Sequence, residues 1–285
     1  MAGILDVSRL RPAGSGAQAR WTPREWDSSF FGISIAQVTA KRPTANELAE
    51  AVRAADHASI DCLYFLAEAE DGTAIRAAEA TGFSLVDIRL TLDCQTALAH
   101  DKDAPRRKQS ADDEIAPRPP RLSAGEIRPA RPADIPRLKE LARLSHRNTR
   151  FHQDPHFDRR LSDELYAIWI EQSVGGELAD IVWVVDVNGA PGGYLTAKSD
   201  DDRGSIGLVA VDETCRGRGY GDALLSAALT WAAEGGLSCL SVVTQGRNAA
   251  AARFYQRAGF LTRAVELWYH RWRTSPPGGS HAAAR

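Results

Sequence analysis

The chain has 285 residues, 44% hydrophobic and 25% charged, with 35 basic against 37 acidic side chains for a formal charge of -2. That composition can bury a core, so wholesale disorder is excluded, and the balanced charge leaves no overall positive field to hold a nucleic-acid backbone. At roughly 100 to 200 residues per domain, two domains are expected.

Residues 1–19 lack the basic start, apolar block and small-residue cleavage site of a secretory leader, and a flexible N-terminus is expected there. Apolar runs such as IVWVVDV at 181–187 stop well short of the roughly 20 residues that cross a bilayer, so no membrane association is expected and a cytoplasmic location follows. Residues 20–95 read as a small αβ domain. It ends in a strand, an Ala- and Arg-rich helix, the pair Gly82-Phe83 and another strand over 63–92. Residues 96–124 are charged, rich in Pro and Ala, and read as a disordered linker.

A second domain is expected over 125–273. EIRPA at 126–130 reads as a strand, and Asp134 can cap a helix whose apolar side carries Ile135, Leu138, Leu141 and Leu144. A second helical run covers 161–174. Strand-like runs at 180–187, 192–199 and 205–211, the first two separated by the turn signal Asn188-Gly189, make an antiparallel meander. Residues 222–234 place Ala223, Leu224, Ala227, Ala228 and Trp231 at helical spacing, ahead of a strand at 237–244, a helix ending at Gly259 and a strand at 261–272. The order β-α-α-β-β-β-α-β-α-β implies an α/β fold, a mixed, largely antiparallel sheet with helices on its faces. Residues 274–285 read as a disordered tail. Residues 240–269 repeat the plan of 63–92 when aligned on Gly82-Phe83 and Gly259-Phe260. The first half therefore reads as a shortened, degenerate relative of the second, the alternative being two similar αβ turns arising by chance.

The strongest chemical signal is Arg216-Gly217-Arg218-Gly219-Tyr220-Gly221, between a strand and a helix. Three glycines let successive backbone N–H groups converge, and a helix N-terminus adds partial positive charge, so a pyrophosphate fits. The spacing matches neither G-x-G-x-x-G, whose third glycine would come one residue later, nor a P-loop, which needs Gly-Lys-Ser/Thr. Cys62, Cys94, Cys215 and Cys239 are widely spaced and are expected to be reduced thiols. His152, Asp154 and His156 form the nearest approach to a metal set, but Pro155 breaks the helix that would align them, and no metal is expected.

With Asn248, Ala251, Tyr255 and Gly259-Phe260 following about thirty residues later, the glycine-rich loop resembles the GNAT acyltransferase superfamily over 126–272. The resemblance implies the GNAT fold, preceded by a smaller degenerate GNAT-like αβ domain, and acetyl-CoA as co-substrate. Cofactor contacts would come from the strand backbone at Leu208, Val209 and Val211, from the loop residues Arg216, Gly217, Arg218, Gly219, Tyr220 and Gly221, and from Asn248 on the pantetheine arm. Tyr255 would face the sulfur and act as the acid. Narrower similarity, in WDSSFFG at 26–32, TRFHQDPHF at 149–157 and the helix from Tyr166 to Trp169, is to bacterial dTDP-fucosamine acetyltransferases. It implies N-acetylation of a dTDP-4-amino-4,6-dideoxyhexose, a small-molecule partner and neither nucleic acid nor membrane, with a homodimer left open.

Trp26, Arg150, His152 and Asp154 are the acceptor-binding candidates. His152, Asp154 or His156 could serve as base, with a water relay equally open. Trp26 could stack on a thymine, whereas Phe30 and Phe31 are expected in the core. Direct attack is expected, since Cys215 has no aligned His partner in the sequence. Other acceptors, such as a protein N-terminus or a small amine, and a non-catalytic coenzyme A-binding regulatory module are the alternatives.

Overall fold

The computed structural model describes residues 20–96 and 125–273. The flexible start, nearly all of the expected linker and the C-terminal tail lie outside the described residues. Thr96, placed in the linker by its composition, is instead buried, and its N–H donates to the carbonyl of Ser238 at 3.2 Å.

In chain order the elements are β1 (Trp21–Pro23), α1 (Glu25–Phe31), β2 (Ile35–Val38), α2 (Ala45–His57), β3 (Cys62–Glu68), α3 (Gly72–Ala80) and β4 (Ser84–Gln95). There follow β5 (Glu126–Pro129), α4 (Ile135–Ser145), α5 (Arg150–Gln153), α6 (Arg159–Val174), β6 (Ile181–Val187), β7 (Ala190–Asp200) and β8 (Arg203–Val211). The chain continues through α7 (Tyr220–Glu234), β9 (Cys239–Gln245), α8 (Ala249–Arg257) and β10 (Leu261–Trp272). Contacts divide them into two compact units whose boundaries fall inside β4, after Asp87, and inside β10, after Val265.

The smaller unit joins β1, β2 and β3 to the 266–272 half of β10. β2 and β3 run parallel, so a crossover is needed between them, and α2 supplies it. Leu48, Ala51, Val52 and Ala55 recur along α2 at helical spacing and are buried with Leu63, Phe65, Phe83 and Tyr269. The larger unit holds β5, β6, β7 and β8 as an antiparallel meander, with β9 parallel to β8 and the 89–95 half of β4 antiparallel to β9. Asn188 and Gly189 both take positive φ, 55° and 86°, the two-residue turn that joins β6 to β7. Leu224, Leu225 and Ala228 of α7 and Phe254 and Tyr255 of α8 close one sheet face over Leu195, Val209, Leu240 and Val242. His146, at the end of α4, reaches Tyr194 on the other face.

The expected repeat has matching element lengths. β3, α3 and β4 contain 7, 9 and 12 residues, and so do β9, α8 and β10. The last strand of each copy pairs with the first strand of the other, β10 with β3 and β4 with β9. By contacts, 88–95 group with the larger unit and 266–273 with the smaller. Asp134 differs as well. It precedes α4, but its carboxylate accepts from Arg128 at 2.7 and 3.0 Å and from the Arg131 N–H at 2.7 Å, so it makes no cap bond to the helix.

Candidate active site

β8 and β9 part company. Arg203–Ile206 pair with Cys239–Val242, and pairing stops there although both strands continue. On its other edge β8 carries a bulge, where the register against β7 shifts between Leu195 and Ala197. The Leu208 N–H donates to the buried Thr196 hydroxyl at 2.8 Å, and the Asp212 N–H to the carbonyl of Gly192 at 2.9 Å. Strand alternation then aims the N–H groups of Val209 and Val211 into the gap beside β9. Of the three expected backbone contacts, Leu208 is thus committed to β7, while Val209 and Val211 can pair with an extended ligand.

The glycine-rich loop follows a short 3-10 turn, Glu213–Cys215. Gly217 and Gly219 are left-handed, with φ of 75° and 80°, and Gly219 precedes α7 with no side-chain cap. The opening amides of this 15-residue helix are therefore available to an anion. The Arg216 guanidinium donates to the Val211 carbonyl at 3.3 Å and to Glu213 at 3.1 Å, and Arg218 is exposed. Tyr220 is the first residue of α7. Its ring is buried in the core, so only its backbone N–H remains for a ligand. At Gly221 an added Cβ would stand 3.2 Å from the Phe254 ring, which ties α7 to α8. The first copy lacks this feature. There α2, in the equivalent crossover, has a capping box, with the Thr44 hydroxyl accepting the Glu47 N–H at 3.3 Å and Glu47 accepting the Thr44 N–H at 2.8 Å.

Asn248 caps α8 by accepting the Ala251 N–H at 3.1 Å through Oδ1. Tyr255 lies two turns into the helix, fully buried, with its ring 5.1 Å from Phe254 and 5.6 Å from Phe260. Its hydroxyl has no hydrogen-bond partner among the described residues, and burial pushes its pKa up, so it is a neutral phenol. Ala78 stands at the corresponding place, four residues before Gly82, in the first copy.

The segment before α6 forms the single-turn helix α5, which ends ahead of Pro155. His152 has both ring nitrogens engaged, Nδ1 with the Thr149 hydroxyl at 3.0 Å and Nε2 with Asp163 at 2.8 Å. His156 Nδ1 lies 2.8 Å from the buried Asp154 carboxylate, and the Arg150 guanidinium covers the Phe151 ring at 4.6 Å. Sequence reading missed His146, whose Nε2 lies 2.7 Å from the Tyr194 hydroxyl and whose ring stacks on Tyr166, and it missed Thr196. A lone His after a helix and a Thr within a strand carry no pattern that would expose them. In the smaller unit Trp26 is half-buried and stacks on Phe30 at 5.0 Å. Phe30 and Phe31, expected in the core, are also only half-buried, with their rings edge to face at 4.9 Å. No group of His, Cys, Asp and Glu able to hold a metal occurs among the described residues, and no described helix is long and apolar enough to cross a membrane.

The Acetyltransferase (GNAT) family pattern matches residues 138–260. The spore coat polysaccharide biosynthesis protein SpsD of Bacillus subtilis is 31% identical over 52% of this chain and 50% of its own length. This chain thus spans about half of that relative. The dTDP-fucosamine acetyltransferase of Escherichia coli is 27% identical over 87% of this chain and 96% of its own. A GCN5-related N-acetyltransferase from Sphaerobacter thermophilus shares the fold, with a TM-score of 0.55 and 17% identity over 84% of this chain and 72% of that one. Residues 138–260 thus form a GNAT acetyltransferase domain, of a family that uses acetyl-CoA.

Proposed function

We propose that the chain transfers acetyl from acetyl-CoA to the amino group of a nucleotide-linked amino sugar of the dTDP-4-amino-4,6-dideoxyhexose class. One observation carries this reading: the likeness to the dTDP-fucosamine acetyltransferase runs over 257 residues, well beyond 138–260, and so takes in residues outside the general acetyltransferase pattern.

In this reading the coenzyme pyrophosphate lies on the amides of Gly217 to Gly221 at the start of α7, and the pantetheine arm enters between β8 and β9. The backbone of Val209 and Val211 pairs with that arm, and the Val209 N–H polarises the thioester carbonyl as the oxyanion develops. The neutral amine attacks the carbonyl carbon, forming C–N. The tetrahedral intermediate then expels the thiolate, breaking C–S, and Tyr255 gives it the phenolic proton. The proton released by the amine leaves through water, which is favoured over His152 because both imidazole nitrogens already hold partners. Asn248 retains its amide nitrogen for pantetheine after Oδ1 has capped α8. Arg150, Asp154 and Trp26 remain acceptor-binding candidates.

Purified full-length chain with acetyl-CoA, presented with nucleotide-linked and free amino sugars, tests the reading. Acetylation of the nucleotide-linked 4-amino sugars at kcat/KM well above the free sugars is expected. Preference for a peptide N-terminus or a polyamine would overturn it.

A further inference from the structure

Gln245 is the last residue of β9, where that strand has already separated from β8. Its side chain is 0% exposed, yet both the carboxamide oxygen and nitrogen lack a hydrogen-bond partner among the described residues. A buried amide with four unmet hydrogen-bonding positions is costly to keep, and each such group calls for an explanation. The neighbourhood supplies one. Cross-strand pairing sets Gln245 beside Arg89, Val243 beside Thr91 and Ser241 beside Asp93 on one sheet face. Arg89, Thr91, Ser241 and Val243 line a cavity of about 550 Å³ on that face, and Gln245 continues the row toward the strand gap. The turn beyond it is fastened to α5, where Arg247 donates to Gln153 at 2.7 Å. Across the sheet, Thr244 alternates onto the face of Val242 and Tyr255, and its hydroxyl also lacks a partner among the described residues. Unmet polar groups therefore flank the gap on both faces at one level: Tyr255 and Thr244 on one, Gln245 on the other.

Resting on the reading of the chain as an amino-sugar acetyltransferase, we propose that the Gln245 carboxamide seats the acceptor as a vicinal amino alcohol, the oxygen accepting an amine N–H and the nitrogen donating to the neighbouring hydroxyl. The juxtaposition that carries this is a buried carboxamide without a partner among the described residues, next in the row of side chains beyond a sheet-face cavity and beside the gap expected to hold the thioester. An amide oxygen takes an N–H and leaves the amine lone pair for attack. Gln245 therefore orients the nucleophile from the face opposite Tyr255, and the paired contact selects amines that carry an adjacent hydroxyl.

The test uses full-length protein, acetyl-CoA and two small acceptors, trans-2-aminocyclohexanol and cyclohexylamine, beside the nucleotide-linked amino sugar. The wild type is expected to favour the amino alcohol by roughly tenfold in kcat/KM, because a site built for a hydroxyl rejects the analogue without it. Gln245→Leu should erase that preference, raise the KM for the sugar and leave the KM for acetyl-CoA unchanged. The melting temperature should hold or rise, since an unpaired amide is removed from the interior. Equal use of the two small amines by the wild type would overturn the proposal, as would a Gln245→Leu protein with a lowered melting temperature and unaltered selectivity. Preference for the amino alcohol with no acetylation of the nucleotide-linked sugar would leave Gln245 in its role and refute the wider functional reading instead.

Discussion

The hydroxyl of Thr196 accepts the N–H of Leu208 at 2.8 Å, a side chain of β7 standing in for the main-chain carbonyl that the bulge in β8 has put out of register. The substitution keeps the bulge hydrogen-bonded while the next donor along β8, that of Val209, turns toward the gap. Thr196→Val leaves the Leu208 N–H buried without an acceptor, at a cost of about 1–3 kcal/mol. We expect a lower melting temperature and a fall in kcat larger than any change in the acetyl-CoA KM, with Thr196→Ser restoring both. A valine variant with wild-type kcat would separate the bulge from catalysis.

Gly219 adopts φ of 80° immediately before α7. An alanine there should cost about 1–2 kcal/mol of backbone strain and disturb the amide cradle. Gly236, at φ 69° with open space where a Cβ would stand, is the control. Both alanine variants should lose similar stability in thermal unfolding, but Gly219→Ala alone should weaken coenzyme A binding by calorimetry. Equal affinity for the two would remove the loop from the site.

Tyr255→Phe removes a hydroxyl that has no partner among the described residues, so the fold should not suffer. The expected loss is in kcat, by roughly 10²-fold or more, with the acetyl-CoA KM unchanged. Burial raises the Tyr255 pKa above its ordinary value of 10.0, so ionisation of this residue should cause no alkaline loss of rate below that pH. The same shift opposes folding increasingly as pH climbs past 10.0, where an exposed tyrosine in the unfolded chain ionises first. The phenylalanine variant should therefore lose stability less steeply in strong base.

Asp134 is held below the usual carboxylate range first by the Arg128 guanidinium and further by the Arg131 N–H. A depressed carboxyl stabilises the fold above its unfolded value of 3.8, and that contribution disappears as pH falls through the folded one. Asp134→Asn should lower the melting temperature at pH 7, and the gap from wild type should narrow on acidification toward pH 3. A constant gap across that range would mean that shape and not charge matters at this position.

The meander, the crossover helix and the glycine-rich loop were legible because each rests on local pattern: the β-branched and aromatic run in 181–187, the Asn188-Gly189 turn, and glycines ahead of an amphipathic run. Tyr255 and Asn248 became candidates through the GNAT resemblance, whose motif they match together with Gly259-Phe260. What escaped depends on neighbours distant in sequence. Nothing about Thr196 marks it until Leu208 lies across from it, twelve residues away. Tyr220 looked like part of the loop because it sits among glycines, while its ring belongs to the core through α7. His152 read as a candidate base since its bond to Asp163, one helix later, cannot be seen in the order of residues. The allegiance of 266–272 was hidden for the same reason, a strand pairing with partners some 200 positions earlier.

That pairing makes the chain indivisible in heredity and in the laboratory. A cut between 97 and 124 would deprive β9 of its neighbour Arg89–Gln95, baring the edge of the strand that carries Gln245, and would strip Tyr269 from the core shared with Phe65 and Phe83. Neither fragment is a module that recombination could transplant alone. Expressed together as separate polypeptides, each would hold the strand the other lacks, so the two halves form a natural pair for fragment complementation.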